Sequence, residues 1–311
     1  MKNTVTKTPS INAKKPNFLL YWELYLFILP ALAYVVIFDY LPMYGIQIAF
    51  RNYNPALGVL GSRWVGFTHF KNFFSSFYFW RLIRNTFILS IYTIIVSFPL
   101  PVILALMLNE VRQARFKKIV QTVMYAPHFI SMVVMVGIIN IMLSPSMGVI
   151  NKIIEFLGGT AKYFMVMPSA FRHIYVWSGL WQNLGWSAVI YIAALSTVDP
   201  ELHEAAIIDG ASRLKRILHI NIPVIMPTIT ILLIMRLGNI ASVGYEKVYL
   251  MRNDLNVEVS EVISTYVYQR GLVGGQFSFT AAIGLFNNLV NVSMLLLANF
   301  IASKTGENSL F

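Results

Sequence analysis

The side chains that most often carry covalent chemistry are sparse in this sequence. Its 311 residues include no cysteine, which excludes disulfides, iron–sulfur clusters, zinc–cysteine sites and cysteine nucleophiles. The five histidines are His69, His128, His173, His203 and His219. They are scattered along the chain and form no HExxH pattern, so they suit packing or interfacial positions better than catalysis or metal binding. We therefore expect neither an active site nor a metal site.

A phosphate-binding loop is also missing from the sequence. The pattern GxxxxGK[ST] does not occur: "ASKTGE" near the C-terminus lacks the preceding glycines, and "GLVGG" at 271–275 is not followed by Lys-Ser or Lys-Thr. Any step driven by ATP would therefore have to take place on another chain.

The most polar stretch in the second half of the chain is "ELHEAAIIDGASRLKRILHINIP", residues 201–223. Asp199 and Pro200 predict a helix start, because a carboxylate caps free backbone N–H groups and proline suits the first helical position. The helix should break at Asp209-Gly210, where glycine permits a reversal that a side chain would obstruct, and restart through Ser212.

The first helix of this stretch would present a small, smooth surface to another protein. The small or apolar side chains that allow close approach are Ala205, Ala206 and Ile208. Glu204 and Asp209 supply charge at the rim of this surface. The second helix, "SRLKRILHI", has an apolar and a basic side and is expected to lie along the bilayer or against the bundle. An ordinary amphipathic loop without a partner is the alternative.

Composition indicates an integral membrane protein. Hydrophobic residues make up 57% of the chain and charged residues 12%, whereas a soluble domain is roughly 25% charged. The formal net charge is +11, but the basic residues are spread between apolar segments. They form no continuous stripe for phosphates, so we expect no nucleic-acid partner.

Six apolar stretches are long enough to span a membrane, each holding the roughly 20 residues that a crossing helix needs. They predict an all-α membrane protein with six transmembrane helices in a domain of residues 24–303, flanked by tails 1–23 and 304–311. The predicted spans are 24–50, 86–108, 119–143, 174–197, 224–245 and 278–302.

The distribution of Lys and Arg predicts that both termini are cytoplasmic. With the N-terminus inside, the inner segments 1–23, 109–118, 198–223 and 303–311 carry 12 basic residues, and the longer outer segments carry 11. The bias has the sign of the positive-inside rule. The polar stretch 198–223 then faces the cytoplasm, and an aromatic segment at 64–85 is expected at the outer membrane interface.

One motif connects these predictions to a known family. Glu204-Ala205-Ala206, Gly210 and the sequence Ile220-x-Ile222-Pro223 follow the EAA motif, EAA-x3-G-x9-I-x-L-P, with Ile222 in place of leucine. The chain resembles permease subunits of type I binding-protein-dependent ABC importers. "NEVRQARFKKIVQTVMYAPHFIS" and "GLFNNLVNVSMLLLANFIAS" extend the resemblance to oligosaccharide and polysaccharide permeases of Gram-positive bacteria.

The resemblance implies a division of labour. The EAA segment would be a coupling helix, carried by Glu204, Ala205, Ala206, Asp209 and Gly210, that docks on a cytoplasmic ATPase. Two ATPases would use ATP and Mg²⁺, a second homologous permease would complete the pore, and an extracellular solute-binding lipoprotein would deliver substrate. This chain itself would bind no cofactor and catalyse no reaction. The alternative is a self-contained secondary transporter.

The resemblance to sugar importers directs attention to polar residues within the spans, since amides, hydroxyls and aromatic rings recognise sugars. Spans four, five and six supply the candidates for the substrate path: Trp181, Gln182, Asn183, Arg236, Asn239, Ser242 and Asn288. The resemblance implies that the helices beside the coupling loop contribute to the sugar site, near Gln182, Asn183 and Asn239. Alternatively, the amides only bridge helices. Arg236 is expected to face a cavity or to pair with a carboxylate of the partner permease.

Charge on the outer face suggests an acidic substrate. The outer segments carry 11 basic and 5 acidic residues, and Arg236 adds a cation within the spans. Such a path would concentrate anions, which favours a uronate-containing oligosaccharide. Alternatively, these cations bind the solute-binding protein or lipid headgroups.

Overall fold

The computed structural model describes residues 22–304 and Leu310. The chain divides into two units, residues 1–47 and 48–311. In the first unit a helical stretch contains α1 (Trp22–Val35), a π-helical turn (Val36–Tyr40), α2 (Leu41–Met43) and the start of a 3-10 helix (Tyr44–Phe50). No residue of α1 is buried, although most of its side chains are apolar. The predicted tails lie almost wholly outside the described residues.

The second unit begins with a short antiparallel β-hairpin that the sequence did not predict. Strands β1 (Arg51–Asn54) and β2 (Ser62–Trp64) pair with Arg51 opposite Trp64, and α3 (Gly58–Gly61) closes the turn. The Arg51 guanidinium donates to the carbonyl oxygens of Leu60 and Ser62, which ties the loop to the strand. Helix α4 (Thr68–Phe74) follows the hairpin.

The remaining elements are helical, and they follow in chain order. The first group is α5 (Phe79–Ser97), α6 (Pro99–Asn109), α7 (Ala114–Tyr125), a 3-10 turn (Ala126–Phe129), α8 (Met132–Met142), α9 (Val149–Phe156) and a 3-10 turn (Phe164–Val166). The next group is α10 (Pro168–Leu195), α11 (Pro200–Ile208), α12 (Arg213–Arg216), a π-helical turn (Ile217–Asn221) and α13 (Ile222–Leu237). The last group is α14 (Tyr245–Met251), α15 (Val257–Ser260), α16 (Ile263–Val267), a π-helical turn (Tyr268–Val273) and α17 (Phe277–Lys304).

Three apolar clusters follow one another along the helices of the second unit, and the outer two mark its opposite ends. Leu82 near the start of α5 belongs to a cluster with Phe73, Tyr266 and Ile283. Further along, Leu89 packs in a middle cluster with residues of α8, α10 and α14. Ala105 of α6 lies in a third cluster with the last turns of α10 and the first turns of α13. The hairpin and the loop after α10 are therefore at opposite ends of the bundle.

The all-α membrane class is confirmed, and the count of six spans remains a prediction. Among the described residues, four helical stretches are long and apolar enough to cross a membrane: Trp22–Phe50, Phe79–Asn109, Arg213–Leu237 and Phe277–Lys304. Helix α10 has 28 residues, about 42 Å at 1.5 Å per residue. Its length is sufficient for a crossing, but its polar side chains lower its mean hydropathy, so it is not one of these four stretches.

The predicted third span, 119–143, is not a straight helix. The helical segments Ala114–Phe129 and Met132–Met142 meet at an angle of 100°. Pro127 lies in the 3-10 turn before the bend, and Ile130 and Ser131 are extended. The Ser131 hydroxyl accepts the backbone N–H of Val134 and so starts α8 as a new helix. The pair counts as a fifth span if both halves belong to one crossing.

Candidate functional site

Helix α11 begins as its sequence predicts. The Asp199 carboxylate accepts the backbone N–H of Glu201 at 2.9 Å, and Pro200 occupies the first helical position. The side chain therefore satisfies a donor that a helix N-terminus leaves free, and the fixed φ of proline suits the first turn.

Gly210 ends α11 with a left-handed residue. Its φ is +73°, the Ala211 N–H bonds to the Ala206 carbonyl at 2.8 Å, and the Gly210 N–H bonds to the Ile207 carbonyl at 3.0 Å. These two bonds define a Schellman turn. A Cβ built on Gly210 has no atom within 4 Å, so the requirement for glycine is conformational. The predicted obstruction by a side chain is therefore backbone strain at positive φ and not a clash with a neighbouring atom, and the predicted break is confirmed.

The surface of α11 is open to contact. The helix has no buried residue, and Ile208 is 86% exposed. Ile207 and Leu202 are also at least half exposed, while Glu204, Ala205 and Asp209 lie on the surface and Ala206 is half-buried. Exposed apolar side chains of this size on a short helix suit burial against a partner.

The segment after Gly210 differs from its prediction. The Ser212 hydroxyl accepts the Lys215 N–H, which starts α12 as expected. However, α12, the π-helical turn Ile217–Asn221 and α13 form one stretch, Arg213–Leu237, with the dimensions of a membrane span. The basic helix is thus continuous with α13 and not a separate helix. The loop connects α10 directly to a helical stretch that is long and apolar enough to cross a membrane.

A cavity of about 380 Å³ lies beside α10, and we call it the α10 cavity. Polar, charged and tyrosine side chains make up much of its wall. They are Thr93, Ser97, Tyr175, Gln182, Asn183, Ser187, Arg236, Tyr245, Glu246 and Lys247. Three predicted substrate-path residues, Gln182, Asn183 and Arg236, therefore share one cavity although they come from two helices.

The two amides of α10 are partly occupied by contacts within the protein. The buried Gln182 side chain donates to the Ile130 carbonyl at 2.8 Å, which bridges α10 to the bend before α8. Asn183 donates to the Gly179 carbonyl at 3.1 Å, and its Oδ1 lies 3.0 Å from His128 Nδ1. The Gln182 Oε1 is buried without a hydrogen-bond partner among the described residues. Helix bridging and a ligand contact are compatible at these residues.

Lys247 is a cavity residue that sequence reasoning missed. It lies on α14, its side chain is 5% exposed, and Nζ donates to the Tyr175 carbonyl at 2.8 Å. The ammonium also lies 4.8 Å from the centroid of the Tyr175 ring. Gly179 leaves room for it, since a Cβ built there would be 3.0 Å from Nζ. The sequence signal was a lysine close after a predicted span, which is usually read as an interfacial anchor.

Arg236 and Lys247 leave the cavity with excess positive charge. Glu246 is the acidic residue of the lining. Within the described part of the chain, the ion pairs are Arg81–Glu261 and Arg252–Glu261, so Arg236 is not paired. Burial lowers the pKa of Lys247, which lies outside the long apolar helices, to about 8. Its ammonium is therefore mostly protonated at neutral pH.

The other predicted substrate-path residues do not line the α10 cavity. Trp181 is 51% exposed on another face of α10. Asn239 is exposed and donates to the Met235 carbonyl, and Ser242 accepts from Asn291 at 2.7 Å, which bridges the turn after α13 to α17. Asn288 is exposed on α17. The structure thus brings together three of the seven residues.

Multiple long apolar helices, a cavity with polar lining and an exposed helix between two long helices are features that membrane permeases share. Comparison with known proteins defines the class further. Residues 97–306 match the family model described as binding-protein-dependent transport system inner membrane component, and the chain belongs to this family. A self-contained secondary transporter, the alternative left open above, is therefore set aside.

Relatives and solved structures agree with this assignment. The chain is 46% identical to the polygalacturonan/rhamnogalacturonan transport system permease protein YteP of Bacillus subtilis, over 93% of this chain and 90% of that protein. It is 45% identical to Protein LplB of the same organism, over 93% and 91%. It resembles a bacterial ABC transporter involved in the import of the acidic polysaccharide alginate, with TM-score 0.86, 40% identity, and coverage of 93% of this chain and 97% of that one.

A second crystal structure gives a similar match. It is the bacterial alginate ABC transporter in complex with an alginate pentasaccharide-bound periplasmic protein. The TM-score is 0.87 at 39% identity, covering 94% of this chain and 98% of that one. The arrangement of helices described here is therefore that of an importer permease.

Proposed function

We propose that this chain is the membrane-spanning subunit of an ABC importer for acidic, uronate-containing oligosaccharides delivered by an extracellular binding protein. The α10 cavity carries the proposal, because Arg236 and Lys247 lie there beside the amides of Gln182 and Asn183. Guanidinium and ammonium groups suit the carboxylates of uronic acids, and amides suit sugar hydroxyls. The relatives named for polygalacturonan, rhamnogalacturonan and alginate transport support the same substrate class.

The charge balance of the cavity favours an anion over a neutral sugar. Two cations and Glu246 line it, and Arg236 is not held in an ion pair by the described residues. A carboxylate that enters can therefore gain a charged partner without breaking an existing pair. Because Lys247 is buried, its attraction for a carboxylate would be stronger than that of a fully solvated ammonium.

ATP hydrolysis by the partner ATPases would act on this chain through α11. We infer that this helix seats on a cytoplasmic ATPase by Glu204, Ala205, Ala206 and the rim residue Asp209, with the Gly210 turn fixing its orientation. Two ATPases would use ATP and Mg²⁺, and this chain would act as a non-catalytic subunit. Exposed Ile208 supports this docking, because a partner would bury it. Since the loop continues directly into Arg213–Leu237, a displacement of α11 would be passed to that span.

The proposed complex contains a second homologous permease and the solute-binding lipoprotein, embedded in lipid. We infer a bacterial plasma-membrane location with both termini in the cytoplasm. The clustered basic residues of 109–118 and 213–216 support this orientation. The hairpin, at the end of the bundle away from α11, would then face the binding protein.

Transport by the reconstituted complex tests the substrate class. We expect Arg236→Gln and Lys247→Gln each to lower tetragalacturonate uptake about tenfold or more, the effect of losing one hydrogen bond to a charged group. Lys152→Gln is the matched control, because Lys152 is exposed on α9 and outside the cavity. Assembly with the ATPases should be unchanged in all three variants.

Two results would contradict the proposal. One is a wild-type complex that transports neutral galactotetraose but not tetragalacturonate, and the other is full tetragalacturonate uptake by the Arg236→Gln and Lys247→Gln variants. Growth of a strain lacking this chain on acidic and neutral oligosaccharides would then identify the substrate.

A further inference from the structure

A second cavity, which we call the hairpin cavity, lies at the opposite end of the bundle from α11. It has a volume of about 650 Å³ and shares no residue with the α10 cavity. Its lining comes from strand β1, helix α4, the π-helical turn Tyr268–Val273 and the start of α17. Its size falls in the range of small-molecule sites, about 300–1,000 Å³.

The wall of the hairpin cavity is preformed. The Tyr53 backbone N–H donates to the Ser278 hydroxyl at 2.8 Å, which joins β1 to α17. Tyr266 is buried in the apolar cluster that also holds Phe73 and Ile283. These contacts fix the spacing between β1, α4 and α17, so little ordering would be required on binding.

Arg270 supplies a cation that is not ion-paired within the described chain. Its guanidinium carbon lies 5.8 Å from the centroid of the Tyr78 ring and 5.5 Å from that of Tyr266. Neighbouring Arg81 also contacts Tyr78, but it is paired with Glu261. The two rings restrain the Arg270 guanidinium while its N–H groups remain available for a planar anion.

Amide side chains line the same cavity. Asn52, Asn72 and Gln276 make no side-chain hydrogen bond to another residue of the described chain, and all three face the hairpin cavity. Tyr53 and Phe277 add aromatic surface and contact each other edge to face at 6.2 Å between centroids. Amides, aromatic faces and one guanidinium are the groups that bind the hydroxyls, apolar ring face and carboxylate of a uronic acid.

We propose that the hairpin cavity is a uronate-binding subsite that holds one sugar residue of the cargo before the cargo reaches the α10 cavity. This inference rests on the proposed function and assigns Arg270 to the carboxylate and the three amides to ring hydroxyls. An acidic side chain of the binding protein would engage Arg270 but would leave the amides and Tyr53 without a role. The lining therefore favours the sugar.

Direct binding of tetragalacturonate to the complete transporter in nanodiscs, without binding protein, tests the inference. We expect Arg270→Gln to weaken binding about tenfold, the loss of one charge-assisted hydrogen bond. Asn72→Ala should weaken it by a smaller factor, and since Asn72 is exposed this variant guards against misfolding. Arg63→Gln is the control, because it removes an exposed arginine of the same hairpin outside the cavity.

The outcomes separate this subsite from the proposed function. Equal tetragalacturonate affinity in the Arg270→Gln, Asn72→Ala and Arg63→Gln variants would overturn the subsite even if wild-type uptake of tetragalacturonate is normal. An Arg270→Gln variant that binds the sugar normally but loses affinity for the loaded binding protein would also overturn it and would assign the cavity to a protein contact. Absence of any tetragalacturonate uptake by the wild type would instead contradict the proposed function.

Discussion

Replacing Gly210 by valine should weaken both ATP-driven transport and the stimulation of ATP hydrolysis, and the size of the effect follows from the backbone. Gly210 has φ +73°, and a residue with a Cβ pays about 1–2 kcal/mol in this region. That penalty lowers the equilibrium constant for forming the turn by about 5- to 30-fold. Because a Cβ at this position has no atom within 4 Å, the loss is conformational. Asparagine tolerates the left-handed region and should retain most of the activity.

The assay compares Gly210→Val, Gly210→Asn and the wild type in proteoliposomes that contain the whole importer. Uptake driven by ATP should fall by up to about 30-fold in the valine variant, with the same amount of protein in the membrane. Stimulation of ATP hydrolysis by the loaded binding protein should fall in parallel. Wild-type uptake by Gly210→Val would refute the role of the turn. Equal loss in the valine and asparagine variants would refute the conformational reasoning.

Three further predictions concern topology, pH dependence and stability. A cysteine introduced at Ser212 should be labelled only from the cytoplasm and one at Ser146 only from outside, with a clean background because the chain has no cysteine; the reverse pattern would overturn the orientation. Since burial lowers the pKa of Lys247 to about 8, its positive charge is lost as pH rises from about 7 to about 9. Tetragalacturonate affinity, measured by titration in nanodiscs, should fall over this interval in the wild type and stay flat in Lys247→Gln. Glu261→Gln leaves two arginines without their buried carboxylate and should destabilise the protein by about 3–5 kcal/mol. Thermal unfolding in detergent checks this against exposed Glu258→Gln, whose midpoint should stay near that of the wild type.

The sequence alone determined the class of the protein and the local structure of the loop 198–223. Long apolar runs predict membrane helices because the backbone must satisfy its hydrogen bonds internally in lipid. Asp199, Ser212 and Gly210 act through bonds to residues at most five positions away. Such short-range interactions are readable from spacing, and so the helix start, the break and the restart were all predicted.

The tertiary structure decided which polar residues share a cavity. Gln182 and Arg236 lie 54 positions apart, and their common placement depends on how α10 packs against the end of α13. Lys247 follows a predicted span by two residues and was not a predicted site residue, yet the space beside Gly179 and the carbonyl of Tyr175 hold it inside. The bend after Phe129 likewise depends on Pro127 and on the capping of α8 by Ser131.

The lining of the hairpin cavity could also not be predicted from the sequence, because it joins segments that are far apart in the chain. Asn52 and Arg270 belong to segments more than 200 residues apart in sequence, and the Tyr53–Ser278 hydrogen bond brings those segments together. Periodicity reports which face of a helix is apolar, but it contains no information on which distant segment packs beside it. Contacts between remote segments arise only when the whole core closes, because each one is favourable only after the others have formed.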